Sequence, residues 1–261
     1  TLDKYNKHFV LQIYNEDLTS RVPYICDRLK ELVTADYFIS KLRCWSDGLS
    51  LEEVPATVIA GEDSKTVVVE HGIKFNIDVY DAVNTGLFLD MRSNSKLVTL
   101  DLKGKTLLNG FAYTCSFGVY AASVGATHTV NVDISQKILD LGKSNYILNG
   151  LPFDEGTFIR ADVMSYFDIL IKKGELFDCI VMDPPSFSRH KGKTFSAKKS
   201  LHDIAKKSLT LLQDGGSFFL STNNSSISLT ILKSIVLDVC TSLNYSLVNC
   251  SVHGQDIDFP G

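Results

Sequence analysis

LFDCIVMDPP, residues 176–185, has the apolar, β-branched content and the length of a buried strand, and it ends in two prolines. Neither proline has a backbone N–H to donate to a sheet ladder, so the strand has to end at Asp183. The largely apolar run is typical of a strand covered on both faces, as in parallel sheets. Because ligands bind at the carboxyl ends of strands in open α/β sheets, Asp183 is the first candidate site residue.

The second half of the chain alternates short apolar runs with stretches of helical length. The apolar runs are residues 105–111, 127–133, 157–162, 177–183, 216–222 and 245–252, and the helical stretches are 116–124, 135–149, 163–172, 196–212 and 226–243. Parallel strands require crossover connections, which are usually helices. The alternation therefore predicts an α/β fold with a doubly wound, mostly parallel sheet.

The first 80 residues have a different pattern. Several strand-like runs surround one amphipathic segment, SRVPYICDRLKELVTA, at residues 20–35. Strands clustered around a single helix predict a small α+β domain rather than an extension of the wound sheet. We place the expected boundary near Asp81, with the small domain at 1–80 and the sheet domain at 81–261.

Composition limits the class of protein. The chain has 261 residues, of which 44% are hydrophobic and 21% charged, which is typical of a globular protein. No apolar stretch approaches the roughly 18 residues of a membrane span, and no leader pattern opens the chain, so we expect a cytoplasmic protein without membrane contact. The cysteines are dispersed without a C-x-x-C pair and the histidines lack ligand spacing, so no metal site is expected.

A basic segment follows the two prolines, although the net charge of the chain is −4. RHKGKTFSAKK, residues 189–199, contains no acidic residue. Its candidate contacts to an RNA backbone are Arg189, His190, Lys191, Lys193, Lys198 and Lys199. The alternative is an ordinary solvated loop and helix start.

The loop expected after the first strand of the sheet is NGFAYTCSFG, residues 109–118. It lacks the G-x-G-x-x-G fingerprint, which disfavours a dinucleotide and favours a ligand with ribose but no phosphate at this place. Asp133, Asp162 and Asp183 each follow one of three successive strands. Asp133 is placed to accept from ribose hydroxyls and Asp162 to meet an adenine, although any one of the three could simply cap a helix.

Five motifs taken together carry a family resemblance. They are NTGLFLDMRSN (84–94), LLNGFAYTCSFGVYAASVGA (107–126), VDIS (132–135), ADV (161–163) and DPPSF (183–187). In this order they closely resemble the class I S-adenosylmethionine-dependent methyltransferases of the large-subunit ribosomal RNA group, which includes cytosine-5 and guanine enzymes. The resemblance runs from about residue 67 to the end. It implies a Rossmann-like sheet, S-adenosylmethionine as cofactor, RNA as partner and an N-terminal domain that positions the RNA.

The resemblance also implies roles for particular residues. The cofactor-binding candidates that it implies are Asn109, Phe111, Tyr113 and Thr114 around the methionine, Asp133 and Ile134 at the ribose, Asp162 and Val163 at the adenine, Asp90 and Arg92 closing the site, and Asp183. The chain departs from the family at Cys115 and Ser116, where two glycines are usual. We expect these small side chains to be compatible with cofactor binding.

The acceptor atom depends on the residues around Asp183. Its carboxylate and the Pro184 carbonyl can hold an exocyclic amine while Phe187 stacks on the base, with Pro185 keeping the turn rigid. Cytosine C5 would need a cysteine nucleophile. The stretch FFLSTNNSSIS, residues 218–228, contains no cysteine, and Cys179 lies inside the predicted strand.

A purine nitrogen, with guanine favoured, is therefore the predicted acceptor. The alternatives are a cytosine-5 enzyme that uses another thiol and a catalytically silent RNA-binding assembly factor. The altered loop at Cys115 is the sequence feature that supports the silent factor. GQDIDFPG, residues 254–261, resembles the terminal Asp-x-Pro segment of the family.

Overall fold

The N-terminal residues form a mixed sheet with a helix on one face. The computed structural model describes residues 1–43, 56–81, 85–185, 197–224, 227–256 and 258–259. The strands are β1 (Leu2–Tyr5), β2 (His8–Ile13), β3 (Tyr37–Leu42) and β4 (Ala56–Ala60), in that spatial order, and α1 (Val22–Leu32) lies between β2 and β3 in the chain. Only the β2–β3 pair is parallel among them. Cys26 of α1 packs against Phe9 and Phe38 of the sheet.

A hairpin completes this unit. Its strands are β5 (Lys65–Glu70) and β6 (Ile73–Asp78), which pair antiparallel. After the hairpin, the Thr85 hydroxyl donates to Tyr5 Oη at 2.8 Å, and the Asp78 N–H donates to the Thr85 carbonyl at 2.9 Å. These bonds hold Thr85 to the first unit. The chain divides into the compact units Thr1–Leu89 and Asp90–Gly261, and the domain boundary near Asp81 stays a prediction.

The second unit contains the predicted wound sheet. Its elements are α2 (Arg92–Thr99), β7 (Thr106–Gly110), α3 (Ser116–Ser123), β8 (His128–Asp133), α4 (Gln136–Leu148), β9 (Phe158–Arg160), α5 (Val163–Lys173), β10 (Phe177–Met182), α6 (Ala197–Thr210), β11 (Leu212–Leu220) and α7 (Leu229–Ser242). Within the described residues the strand order is β11-β10-β7-β8-β9, and each neighbouring pair is parallel. The predicted α/β fold class is confirmed.

The sheet is apolar on both faces around β10, which explains the apolar run Cys179–Met182 in this strand. On one face Ile180 packs with Phe167 of α5 in a large cluster. On the other face Cys179 and Val181 pack with Phe117 of α3. Successive strand residues point to opposite faces, so a strand covered by helices on both sides has no position for an exposed polar residue.

The strand order reverses between β7 and β10. From β7 the chain moves outward through β8 to β9, then returns to place β10 on the other side of β7. Gly110 and Met182, the last residues of these two strands, are paired in register. The loops that follow them therefore start side by side, which creates the crevice typical of a topological switch point.

The interpretation of residues 245–252 as a strand was wrong. Within the described part of the chain, β11 forms the edge of the sheet, and this segment has no regular secondary structure. Val248 is 98% exposed. An apolar run becomes a strand only where a partner supplies the other half of the hydrogen-bond ladder.

Among the described helices, none has the length and apolar content that crossing a membrane requires.

Candidate active site

The loop after β7 turns sharply without glycine at its bends. Phe111, Tyr113 and Cys115 have φ angles of 57°, 48° and 62°. Left-handed backbone costs about 1–2 kcal/mol for a residue with a Cβ atom. Such strain persists where the surrounding structure holds the backbone in place, and it concentrates at ligand sites. We call residues 111–115 the switch-point loop.

Asp133, at the carboxyl end of β8, is one of the groups that hold this loop. One carboxylate oxygen accepts from the Tyr113 N–H at 3.1 Å, and the other accepts from the Ser135 N–H at 2.9 Å. Each carboxylate oxygen has a further lone pair, so the group can also accept from ligand hydroxyls. Ile134, the next residue, is half exposed. Asp133 thus combines a structural bond to the loop with capacity for a ligand.

A buried polar network lies beneath the switch-point loop. The Asn109 side chain is 1% exposed, and its amide donates to Asn131 Oδ1 at 2.9 Å. Asn131 donates to the Tyr146 hydroxyl and to the Thr157 carbonyl, each at 3.2 Å, and Tyr146 bonds Thr129 at 2.7 Å. Satisfied buried networks rigidify their surroundings. The side chain of Asn109, predicted to line a pocket, lies in this network.

Helix α4 also contacts the loop. Asn145 Nδ2 donates to the Thr114 carbonyl at 3.2 Å, and Thr114 is buried. The buried residues of α4 recur at helical spacing and are Leu139, Gly142, Asn145 and Tyr146. Asn145 is not among the site residues predicted from the sequence. A glycine and polar side chains on the inward face of a helix were the available signal, because an isolated helical glycine often marks a close packing contact.

Asp162 and Val163 lie where β9 leads into α5. One carboxylate oxygen of Asp162 accepts from the Ser165 N–H at 2.9 Å and from its hydroxyl at 2.8 Å, so Asp162 caps α5. The Val163 side chain is buried in the cluster between α5 and the sheet. The helix-capping alternative raised for Asp162 is therefore present in the structure, and an adenine contact stays a prediction for both residues.

Asp183 begins the turn after β10. Burial raises the pKa of its carboxyl, a hydrogen bond donated by the Ser221 hydroxyl lowers it, and the nearby Asp90 carboxylate raises it again. Ser221 itself is fixed because its N–H donates to the Met182 carbonyl at 3.0 Å. Pro184 is half-buried and Pro185 is exposed. The net result is a half-buried aspartate whose carboxyl has a pKa above its usual value, at the end of β10.

The segment near the C-terminus is bonded to the start of α2. Gln255 Nε2 donates to Asp90 Oδ2 at 3.3 Å. The Arg92 guanidinium pairs with Asp256 at 2.9 Å and with Asp258 at 2.8 Å, and this contact lowers the pKa of Asp258. Arg92, predicted to close the site, is therefore paired with two carboxylates. Sequence analysis missed this pairing, which joins residues far apart in the chain.

Several predicted residues lie outside the described residues. They are Phe187, Arg189, His190, Lys191 and Lys193. Lys198 and Lys199 belong to the first turn of α6, and Lys199 is exposed. Across the ranges that the structure describes, no group of three or more His, Cys, Asp or Glu side chains could hold a metal ion.

The sequence matches known proteins over most of its length. A family model described as S-adenosylmethionine-dependent methyltransferase matches residues 38–249. The ribosomal RNA large subunit methyltransferase I of Aeromonas salmonicida (strain A449) is 37% identical over 205 residues, which is 78% of this chain. The ribosomal RNA large subunit methyltransferase K of Neisseria meningitidis serogroup B is 36% identical over 211 residues, or 80% of this chain. The matches cover 52% and 57% of these two relatives, so the chain spans about half their length.

Solved structures resemble the fold as well. A methyltransferase complexed with SAH is 28% identical, with a TM-score of 0.81 over 90% of this chain and 60% of that chain. A SAM-dependent methyltransferase from Streptococcus mutans is 26% identical, with a TM-score of 0.80 over 92% of this chain and 61% of that chain.

The pKa of Asp183 should respond in opposite directions to its two neighbours. In Ser221→Ala the pKa rises, because the hydrogen bond that stabilises the carboxylate is lost. In Asp90→Asn it falls, because a like charge is removed while the shape is kept. The measurement is a ¹³C NMR titration of the Asp183 side-chain carboxyl.

The matched control for this titration is Thr222→Ala. Its hydroxyl accepts from the Asn224 N–H, so its removal should leave the Asp183 titration in place. Shifts of the same sign in the Ser221 and Asp90 variants would contradict the electrostatic account of this carboxyl.

Proposed function

The chain belongs to the S-adenosylmethionine-dependent methyltransferase family, and we propose that it methylates a base of large-subunit ribosomal RNA. S-adenosylmethionine is the cofactor of this family. The observation that carries the proposal is the bond between Asp133 and the switch-point loop, at the same edge of the sheet as Asp183 and at the reversal of strand order. It supports the proposal because a ribose acceptor and an acceptor for a base are both needed at that edge.

We propose that the cofactor lies across the carboxyl ends of β7 and β8. Asp133 and Ile134 hold the ribose, and Asp162 and Val163 lie against the adenine. The methionine end contacts the switch-point loop through Phe111, Tyr113 and Thr114. The fit is supported by the loop itself, which has strained non-glycine bends and a buried network below it but no glycine-rich cradle for a pyrophosphate.

The chemistry asked of the protein is mainly alignment. S-adenosylmethionine supplies a methyl group on a positively charged sulfur, and transfer is a direct displacement. Asp183 and the Pro184 carbonyl accept hydrogen bonds from the attacking amine, which fixes its lone pair toward the methyl group. The raised pKa of Asp183 makes this carboxylate a stronger base than an exposed one, so it can take the proton that the amine releases.

A purine nitrogen, with guanine favoured, is the proposed acceptor. Cytosine C5 requires a thiol in the site. Cys179 is buried within β10, where burial raises the pKa of its thiol to about 11. The residues that follow β11 beside Asp183 are Ser221 and Thr222, and neither carries a thiol. An exocyclic amine needs acceptors rather than covalent help, which is what Asp183 and Pro184 offer.

The RNA is proposed to be ribosomal because the curated relatives are named large-subunit ribosomal RNA methyltransferases. Phe187 would stack on the target base, with Pro185 in the same turn. The basic segment from Arg189 to Lys199 would contact the backbone, and the N-terminal unit would position the substrate. We propose that the protein acts in the cytoplasm.

Cofactor binding should depend on Asp133. Calorimetric titration of the native chain with S-adenosylhomocysteine should give binding, and Asp133→Ala should weaken it by at least about tenfold, since one substitution removes charge-assisted bonds to the ribose and the bond to Tyr113. Asp140→Ala, an exposed carboxylate on α4, should bind like the native chain. Absence of binding by the native chain would favour the silent RNA-binding alternative.

The methylated atom can be identified directly. The protein is incubated with methyl-labelled S-adenosylmethionine and large-subunit ribosomal RNA transcribed in vitro, and the nucleosides are then separated by mass spectrometry. We expect label in a guanine nucleoside, and Asp183→Asn should reduce its rate strongly because the amide cannot take the proton. Label in 5-methylcytidine would refute the purine assignment, and no label would refute methylation of naked RNA.

The basic segment should contribute to RNA affinity and not to cofactor affinity. In the double variant Lys191→Ala, Lys193→Ala, RNA binding should weaken and its dependence on salt should become shallower, because fewer phosphates are neutralised. Lys172→Ala, Lys173→Ala at the far end of α5 is the charge-matched control. Equal losses of RNA and S-adenosylhomocysteine binding would argue against this role.

A further inference from the structure

We propose that Cys115 and Gly142 form a matched positioning pair that sets the conformation of the switch-point loop for the cofactor. Cys115 ends the loop, and Gly142 lies on the inward face of α4. This inference rests on the proposed cofactor site and adds two residues to it. Neither residue is proposed to touch the cofactor, since each acts through the loop.

The backbone at Cys115 is left-handed. It has a φ of 62° and immediately precedes α3, a position where glycine carries no strain and a residue with a Cβ does. Its N–H donates to the Ala112 carbonyl at 2.8 Å, so this conformation also closes the turn of the loop. A cysteine at this place needs contacts of its own side chain to offset the strain.

The Cys115 thiol occupies the space beside Gly142. A methyl group at Gly142 would overlap Cys115 Sγ and would lie 3.1 Å from Cys115 Cβ and 3.3 Å from the Thr114 carbonyl carbon. The space left by the missing side chain of Gly142 is thus filled by the side chain of Cys115. Cys115 is fully buried and Gly142 is buried, so neither can relieve a collision by turning outward.

Cys115 and Gly142 are linked to the proposed cofactor site through Tyr113 and Thr114. Cys115 Sγ lies 3.6 Å from the Tyr113 carbonyl and donates a weak hydrogen bond to it. The Tyr113 N–H in turn donates to Asp133, and the Thr114 carbonyl is held by Asn145, one helical turn beyond Gly142. A displacement of Cys115 would therefore move Tyr113 and Thr114, which are proposed to meet the methionine end of the cofactor.

The thiol acts here by packing and not by its reactivity. Burial raises the pKa of Cys115 well above its usual value, and the Asp133 carboxylate raises it further. A thiol held in its neutral form is a poor nucleophile and a small apolar group with one weak donor. Such a group can fill the space over Gly142 and donate a weak hydrogen bond to the Tyr113 carbonyl.

The test compares four proteins: native, Gly142→Ala, Cys115→Gly and the double variant. Each is measured by thermal unfolding without ligand and by calorimetric titration with S-adenosylhomocysteine. Gly→Ala inside a helix ordinarily stabilises it, so a loss in Gly142→Ala has to come from the collision. We expect Gly142→Ala to lower the melting temperature and to weaken S-adenosylhomocysteine binding by about tenfold, the effect of a modest overpacking penalty.

The double variant decides between coupling and general damage. Removing the Cys115 side chain makes room for the new methyl group, so the double variant should regain both the melting temperature and the affinity of Cys115→Gly. Asp140→Ala, on the exposed side of α4, should behave like the native chain. The positioning pair would be refuted if Gly142→Ala bound S-adenosylhomocysteine with native affinity. It would also be refuted if the double variant bound S-adenosylhomocysteine as weakly as Gly142→Ala.

The two readouts also separate this inference from the proposed function. If the native chain fails to bind S-adenosylhomocysteine, the proposed function is refuted. If the native chain binds it and Gly142→Ala binds it equally tightly, only the positioning pair is refuted. Coupling seen in the melting temperatures without any change in affinity would reduce the pair to a packing contact and would also overturn its positioning role.

Discussion

The reversal of strand order between β7 and β10 is the constraint on which the site depends. Because Gly110 and Met182 pair in register at the ends of these strands, the loop from β7 and the turn at Asp183 have to leave the sheet together. At the opposite ends of the strands the Asp178 carboxylate accepts from the Thr106 N–H at 2.9 Å and from its hydroxyl at 2.8 Å, which fixes this register. A shift in the pairing register of one strand would separate the two loops, and the crevice between them would be lost.

The parts of the fold that depend on local pattern could be predicted from the sequence. The apolar runs gave β7 to β11, and the acids at their ends were recognised because strand ends in a parallel sheet share one edge. The contacts of Asn145 and Arg92 could not be predicted, since each joins segments distant in the chain. The assignment of residues 245–252 failed for a related reason: strand formation depends on a partner, which a single run does not reveal.

The switch-point loop shows why a glycine-poor sequence can still make a tight turn. Three left-handed residues are unfavourable one by one. Here the backbone is held by Asp133 from the sheet and by Asn145 from α4. These restraints favour one loop conformation, and a preorganised loop loses less conformational entropy on binding.

Asp90, which lies near Asp183, also contacts Gln255 near the C-terminus. Asp90 raises the pKa of Asp183, and Gln255 donates to Asp90 while Arg92 holds the adjacent Asp256. A hydrogen bond from Gln255 withdraws charge from Asp90 and so weakens its effect on Asp183. Ser221 acts on Asp183 in the same sense from the other side. The basicity of the buried carboxylate is therefore a balance between burial, which raises its pKa, and two donors that limit the increase. In the proposed mechanism this balance would let the carboxylate accept hydrogen bonds from the amine and take its proton.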